Sequence, residues 1–538
     1  MSPGLRRMLS ALLLFGVAAL LRGLLANERG LWADEIFSLA MATGHSLEHP
    51  ASAADSSRGD FVQVQDPAPA QAYGRYLRHD LPPAGWGRVV GAVLTSDTSP
   101  PLYYLLLSAW TRALGTSDRA LRLFSVLWAL AAFPLLWSLA HQIGGERAAV
   151  SAGVLYAWAP PSLYYSVEGR MYSMLWCLAL GFVWLCVRLH QRGARPGILL
   201  LWILAGAAGF LTHYFFAFVW AAGALWLLLH PGQSKRIPLL AGAVATGAAV
   251  VPWYLQLPAS LSRWRVTGSW LNGPLSVAQA LSAPVLLAWN LLAGRGIWGG
   301  NRWTDRILAL LFVLLALAVW RRGLRPLFSP VPRVLWLWVV FACLGPVAFD
   351  LMRGTFASLM ARYALAGLPA AMLLLGLALS RLELRANAVL LALIVAAWAP
   401  GIYAVFQNPR AWEPYAQLGD ELSPWAGPED LVIVHAIPSG VLGVTRYLRP
   451  TVPVADWVGQ LGSRRVPQDL SRLLAGRKRV AVVTVHHLGE PAPEAEWLRA
   501  NAKLLDERTI RTAQVLYFAP GDGAAFGADR GPGASTRR

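Results

Sequence analysis

The chain has 538 residues, 56% hydrophobic and 14% charged, against about 25% charged in an average soluble domain, which excludes an ordinary soluble enzyme. The formal charge is +18, but its arginines sit mainly at the ends of apolar blocks, where they orient membrane spans; the charge reads as topology, with no nucleic-acid partner. Cys177, Cys186 and Cys343 all lie inside apolar blocks and suggest neither a disulfide framework nor a thiolate metal site.

In chain order, the apolar runs predict helices over residues 8–25, 100–115, 121–140, 147–164, 170–187, 197–211, 213–229, 237–256, 305–320, 333–350, 362–380 and 387–405. The fold class is therefore an all-α polytopic membrane protein with about 12 transmembrane helices of about 20 residues each. The first run follows Arg6 and Arg7. Arg22 and the lack of a small-residue cleavage pattern make it a retained span rather than a leader. A polar stretch, 26–98, is too long for a passive connector and reads as a large external loop with short amphipathic helices. A second long connection, 256–302, carries Trp264, Trp270, Trp289 and Trp298, suited to the headgroup region.

The basic clusters at 6–7, 188–195, 235–236, 321–325 and 381–385 can all be cytoplasmic, with the N-terminus inside and both long loops outside. Residues 141–147 break the parity unless 100–115 fails to cross. Beyond residue 405, short β-rich runs at 431–436, 480–485 and 514–518 alternate with polar stretches of helical length and predict a small α/β domain outside the membrane. The expected division is 1–405 for the membrane domain, 406–520 for the α/β domain and 521–538 for a disordered tail.

Three segments could carry chemistry. Trp32-Ala33-Asp34-Glu35 precedes Ile36, Leu39, Ala40 and Thr43 at helical spacing, so a short helix could lie on the membrane. Asp34 is then either a helix cap or a carboxylate held as a general base, a role worth about 10²- to 10⁴-fold in rate. In 97–104, Ser99 is the expected cap and Pro100 the first helical residue, followed by Tyr103 and Tyr104; such an end can bind an anion. Segment 160–172 packs Tyr164, Tyr165, Glu168, Arg170 and Tyr172 at one span boundary. Its tyrosines could be interface anchors and its charges a local ion pair, or together they could hold a sugar and a phosphate. Lesser signals complete the list, among them Arg362-Tyr363, which opens a span on the same outer face after Asp350 and Arg353. His213 lies between apolar blocks, and Arg119 and Arg122 flank Leu121, where snorkelling is the plain explanation. No P-loop, dinucleotide fingerprint or zinc spacing occurs at a usable place.

As a set, Asp34-Glu35, the PPLYYLL stretch at 100–106, Arg122 with Ser125, the YS-x-E-x-R-x-Y element at 165–172 and the ARYALAGLPA stretch at 361–370 resemble the bacterial branch of the protein O-mannosyltransferase-like glycosyltransferases. That branch, family 39 of the GT-C fold, includes the aminoarabinose transferases of lipid A. Ser99 stands where many relatives have His or Lys, and Gly169 where Ala is usual. The resemblance implies an enzyme of the plasma (inner) membrane that moves a sugar from a polyprenyl-phosphate donor to a glycan, lipid or protein acceptor. Asp34 would be the base, with Glu35 assisting. Arg170 and Arg362 would balance the phosphate, with Tyr172, Glu168, Tyr363 and Ser99 beside the donor and His213, Tyr103 and Tyr165 lining the pocket. No cofactor is required; a divalent cation at Asp34 and Glu35 is the one alternative. A transporter or flippase predicts ionisable residues in mid-membrane and an internal repeat, which the sequence lacks; a glycan polymerase or ligase would share the many spans and the large outer loop.

Overall fold

The computed structural model describes residues 3–97, 99–268, 270–294, 301–407, 413–487 and 492–520. Trp298 and the tail 521–538 lie outside them. Among the described residues, seven helices are long and apolar enough to cross a membrane: Arg7–Ala26, Asp118–Trp158, Tyr172–Arg192, Arg236–Leu261, Arg302–Arg322, Pro330–Arg353 and Ala361–Ser380. Leu384–Ala397 and Ala399–Gln407 form an eighth if the pair, bent by 41°, is one span. The chain is a multi-pass membrane protein.

The expectation of about 12 spans differs from this in identifiable places. Pro196–Phe210 and Phe216–Leu229 are apolar but short. Leu102–Leu114 has 13 residues, which at 1.5 Å per residue is about 20 Å against a hydrocarbon core of about 30 Å. Its buried Tyr103, Tyr104 and Leu107 share a core with Leu39 and Phe61 from the 26–98 stretch and with Phe124 at the start of the long helix Asp118–Trp158. Residues 141–147, where the parity breaks, fall inside one long helix. There the long helix Asp118–Trp158 is interrupted by Gly145, whose φ of 73° and ψ of −164° divide it in two. The 256–302 connection is not all headgroup loop either, for it contains the apolar helix Val277–Ala293.

Small residues and one buried cation draw the bundle together. A Cβ on Gly376 would sit 2.9 Å from the Ala152 Cβ, so the helix Ala361–Ser380 lies directly against Asp118–Trp158. Arg22 is fully buried, donating to the Tyr156 carbonyl at 2.9 Å and to Ser162 Oγ at 2.8 Å, which ties the first span to the short helix Pro160–Val167.

The C-terminal sheet has the order β1-β3-β2-β4-β6-β5. Its strands are β1 (Ala68–Pro69), β2 (Asp430–His435), β3 (Pro453–Trp457), β4 (Arg479–Thr484), β5 (Lys503–Ile510) and β6 (Ala513–Ala519). β3, β2 and β4 are parallel, and β1, β5 and β6 pair antiparallel. The centre is buried on both faces, as parallel strands require. Val432, Val434, Val454, Ala481 and Val483 face the core that contains the helix Ala33–Ala42, while Leu431, Ile433, Val480 and Val482 face a second one under Leu470, Leu473 and Leu498. The expected strands at 431–436, 480–485 and 514–518 thus form. β5, whose charged side chains are mostly exposed, lacked the apolar signal.

The expected boundary near 405 does not isolate this unit, because β1 comes from the 26–98 stretch and pairs with β3. A second tie lies at Asp118, which accepts from Arg446 Nε at 2.9 Å, Tyr447 Oη at 2.7 Å and Gly30 N at 3.0 Å. The helix Ala33–Ala42 is therefore covered by other parts of the chain on nearly every side. Nine of its ten residues are buried, against Leu102–Leu114, Trp86–Ser96 and Pro438–Tyr447; its amphipathic spacing reflects a core between layers.

Candidate active site

Asp34 occupies the second position of the helix Ala33–Ala42, so it is a first-turn residue and not the expected cap. Its side chain is 25% exposed, and its Oδ2 lies 3.2 Å from Arg362 Nη1 and 3.9 Å from Arg170 Nε. Arg170 Nη1 also donates to Asp97 Oδ2 at 3.0 Å, to Tyr104 Oη at 3.1 Å and to Ser38 Oγ at 3.4 Å. Asp97 accepts from Tyr104 Oη at 2.9 Å and from Ser99 Oγ at 3.0 Å. Two aspartates and two arginines from four separate segments form one partly exposed cluster.

Ser99 is thus a ligand of Asp97 rather than a cap, and the helix behind it starts at Leu102, whose N–H is taken by the Leu211 carbonyl. Arg170 does not form the local pair with Glu168 that proximity suggested; its carboxylate partners come from elsewhere in the chain. Arg362 stacks over the Trp270 ring at 5.1 Å and the Tyr363 ring at 5.4 Å, which fixes its plane as it reaches Asp34. Trp270, expected in the headgroups, is part of this wall.

Glu35 is fully buried. Its two oxygens lie 3.2 Å from Arg122 Nε and Nη2, and it also accepts from Gly169 N at 2.9 Å and Trp32 N at 3.3 Å. Arg122 does not snorkel; it is fully buried and donates as well to the carbonyls of Glu28 and Gly30. The pair fastens residues 168–170 to the start of the Asp34 helix. It also separates the adjacent carboxylates, so Asp34 and Glu35 do not converge on one cation. Among the described residues no group of three or more His, Cys, Asp or Glu is placed to hold a metal ion.

Tyr103 lies behind the cluster. It is fully buried and pairs with Ser125 Oγ at 3.4 Å, and Ser125 donates to the Arg170 carbonyl at 3.4 Å; it supports the arginine instead of lining a pocket. Tyr165 and Tyr172 meet edge to face at 5.2 Å, with Tyr172 6.2 Å from the His213 ring. Glu168 is buried beside them. Phe215 N donates to His213 Nδ1 at 3.0 Å, which leaves the proton of the neutral ring on Nε2. Burial, and then the charge of Arg170, push the His213 pKa down to about 4, so the ring is neutral.

One acidic neighbour escaped the sequence. Glu413, at the entry to the α/β unit, accepts from Ala33 N at 3.3 Å and lies 3.8 Å from His486 Nδ1. Burial and the charge of Asp34 push its pKa up to about 7. It sits in no recognisable motif, and only the docking of the sheet brings it to the site.

Residues 98–255 match the model of the family described as dolichyl-phosphate-mannose-protein mannosyltransferase. No curated protein matches the sequence. Among solved structures the chain is similar to ArnT from Cupriavidus metallidurans bound to undecaprenyl phosphate, with a TM-score of 0.53 and 16% identity over 96% of this chain and 98% of that one. The apo state of the same protein gives 0.50 and 15%, over 89% and 95%. At these TM-scores and identities the likeness shows a shared fold. Together with the family match it bears out the resemblance carried by the sequence motifs.

Proposed function

We propose that the chain is an integral membrane glycosyltransferase that moves a sugar from a polyprenyl-phosphate donor to an acceptor hydroxyl, with Asp34 as general base. The observation that carries this is the Asp34–Arg170–Arg362 constellation, a part-exposed carboxylate held between two guanidinium groups where several helices end. The undecaprenyl phosphate in the ArnT structure supports the donor class.

In this reading the acceptor O–H gives its proton to Asp34 while its oxygen bonds to the anomeric carbon. The bond from that carbon to the phosphate oxygen breaks on the opposite face, and the lipid phosphate leaves with the electron pair. One negative charge thus passes from the carboxylate to the phosphate. Arg170 and Arg362, which both face Asp34, can balance it at both ends without a proton donor to the leaving group. Neutral His213 offers Nε2–H to a sugar or phosphate oxygen, while Tyr165, Tyr172, Tyr363 and Glu168 wall the donor side. Glu35 is a positioning residue: through Arg122 and Gly169 N it sets the distance between Asp34 and Arg170. Asp34, Asp97 and the α/β unit lie on the extracytoplasmic side of the plasma membrane and the N-terminus on the cytoplasmic side, as the basic loops require. The acceptor is a glycan, lipid or protein exposed there.

The test is transfer in proteoliposomes loaded with polyprenyl-phosphate sugars. Asp34→Asn abolishes transfer while the protein stays inserted with an unchanged melting temperature; full activity in that variant overturns the base assignment.

A further inference from the structure

Apart from the Asp34 cluster, residues 46–60, the helix Trp86–Ser96 and residues 263–264 enclose an open cavity of about 700 Å³. Its lining includes Glu48, His49, Asp60, Arg88, Arg263 and Trp264. The mixture is informative. A site for a simple anion carries one sign of charge, and a lipid-tail site is apolar; here planar carboxylates, guanidinium groups and an imidazole line the same cavity as one aromatic ring. Planar groups that donate and accept in pairs match the vicinal hydroxyls of a pyranose, and the face of Trp264, 45% exposed, matches its C–H face. The volume falls within the roughly 300–1,000 Å³ of small-molecule sites and has room for a short oligosaccharide rather than one sugar.

The polar groups are held in place beforehand. His49 Nε2 lies 3.0 Å from Asp60 Oδ1 and is also hydrogen-bonded to Ser46 Oγ. Arg88 donates to the Gly44 carbonyl at 2.9 Å and to Asp80 Oδ2 at 2.8 Å. Glu48 accepts from Thr267 N at 2.9 Å and from Thr267 Oγ1 at 3.0 Å. A site whose side chains are already oriented loses little entropy on binding.

Two chain segments join this cavity to the Asp34 cluster. Thr95 lines the cavity, and two residues later the same segment delivers Asp97 to Arg170. Arg265 donates to the carbonyls of Thr95 at 3.0 Å and Leu94 at 3.2 Å; the loop that carries it presents Trp264 to the cavity on one side and Trp270 to Arg362 on the other.

We infer that this cavity is the acceptor subsite and that the acceptor is an oligosaccharide of two or more sugars, its inner residues seated against Trp264 and its terminal hydroxyl directed to Asp34. The inference rests on the glycosyltransferase reading. Its test is direct binding of the full chain in detergent to an array of di- to tetrasaccharides from bacterial envelope glycans, printed beside the component monosaccharides.

The wild type retains at least one oligosaccharide more than tenfold over its monosaccharides. Trp264→Ala and Arg263→Ala lose that retention, Trp264→Phe keeps most of it, and all three bind undecaprenyl phosphate as the wild type does. Retention of no oligosaccharide above its monosaccharides, or equal retention by Trp264→Ala and Arg263→Ala, overturns the assignment. So does a parallel loss of undecaprenyl phosphate binding, which would mark a general disruption. The two readings fail separately: transfer by Asp34→Asn with intact array binding removes the base and leaves the subsite, while transfer to acceptors that the array does not retain removes the subsite and leaves the enzyme.

Discussion

Asp34 and Arg362 are 328 residues apart in the chain and meet at 3.2 Å. The contact joins the first helix after the first span to the opening of a late one, so the site exists only when both ends of the membrane bundle have assembled. If Arg362 exchanges Asp34 for the donor phosphate, Arg362→Ala raises the donor KM at least tenfold and lowers kcat. Arg362→Lys recovers charge but not the planar stack on Trp270, and restores donor binding only in part. A donor KM unchanged in Arg362→Ala, measured by initial rates at varied donor, counts against the phosphate contact.

Arg170 is held more tightly, with contacts to Asp97, Tyr104 and Ser38 in addition to Asp34. Arg170→Ala is expected to reduce kcat/KM for donor by two orders of magnitude or more while the acceptor KM changes little. Asp97→Asn leaves the arginine charged but less fixed and gives a smaller loss, about tenfold. Equal damage to donor and acceptor KM would assign Arg170 to the architecture of the site and not to the phosphate.

Glu35 and Arg122 form an ion pair with no exposure on either side chain. Removing one partner strands the other in a low-dielectric interior, at a cost of about 3–5 kcal/mol. Glu35→Gln and Arg122→Met should each lower the melting temperature sharply, and the double variant should be more stable than either single one. Additive losses in that cycle would show that the charges are not coupled.

Asp34 and Arg170 were legible in the sequence because each stands among polar residues at the end of an apolar run, where they are conspicuous, whereas Arg362, alone with Tyr363 in an apolar stretch, was a lesser signal. The function of Glu35 was not legible, since adjacency to Asp34 suggested shared chemistry, whereas successive helical residues point about 100° apart and Glu35 turns inward to Arg122. Ser99 and Pro100 carried a good start signal, yet Asp97 captured the serine hydroxyl and the helix began two residues later. β1 is only two residues long and β5 is largely polar, so neither left a periodic trace, and the reach of the α/β unit into the 26–98 stretch stayed hidden. Glu413 depended on that docking.

Glu413 gives the site a pH signature. Its folded-state pKa, pushed up to about 7 by burial and by Asp34, lies above the roughly 4.3 of an unfolded glutamate. The folded state therefore binds the proton more tightly, and this group's stabilising contribution is complete below about pH 4 and lost as pH rises through about 7. The wild-type melting temperature should fall between pH 5 and pH 8 by more than that of Glu413→Gln. The wild-type rate profile should also carry a limb near pH 7 that the variant lacks. Superimposable profiles would show that Glu413 does not titrate with the site.

Gly169 is the residue between Glu168 and Arg170, and its N–H is held by Glu35. A Cβ added there would lie 2.6 Å from Leu121 Cγ, closer than real side chains approach. Gly169→Ala must therefore push residues 168–170 away from the Asp118–Trp158 helix or displace Leu121, an overpacking that costs about 1–3 kcal/mol. Arg170 moves with its backbone, so kcat should drop about tenfold or more with little change in membrane insertion. Leu121→Ala, which removes the clashing atoms, should restore activity in the double variant although alone it opens a void and lowers stability. Failure of that rescue, with the double variant folded, would show that the small residue at 169 serves something other than the close approach of the Arg170 turn to Leu121.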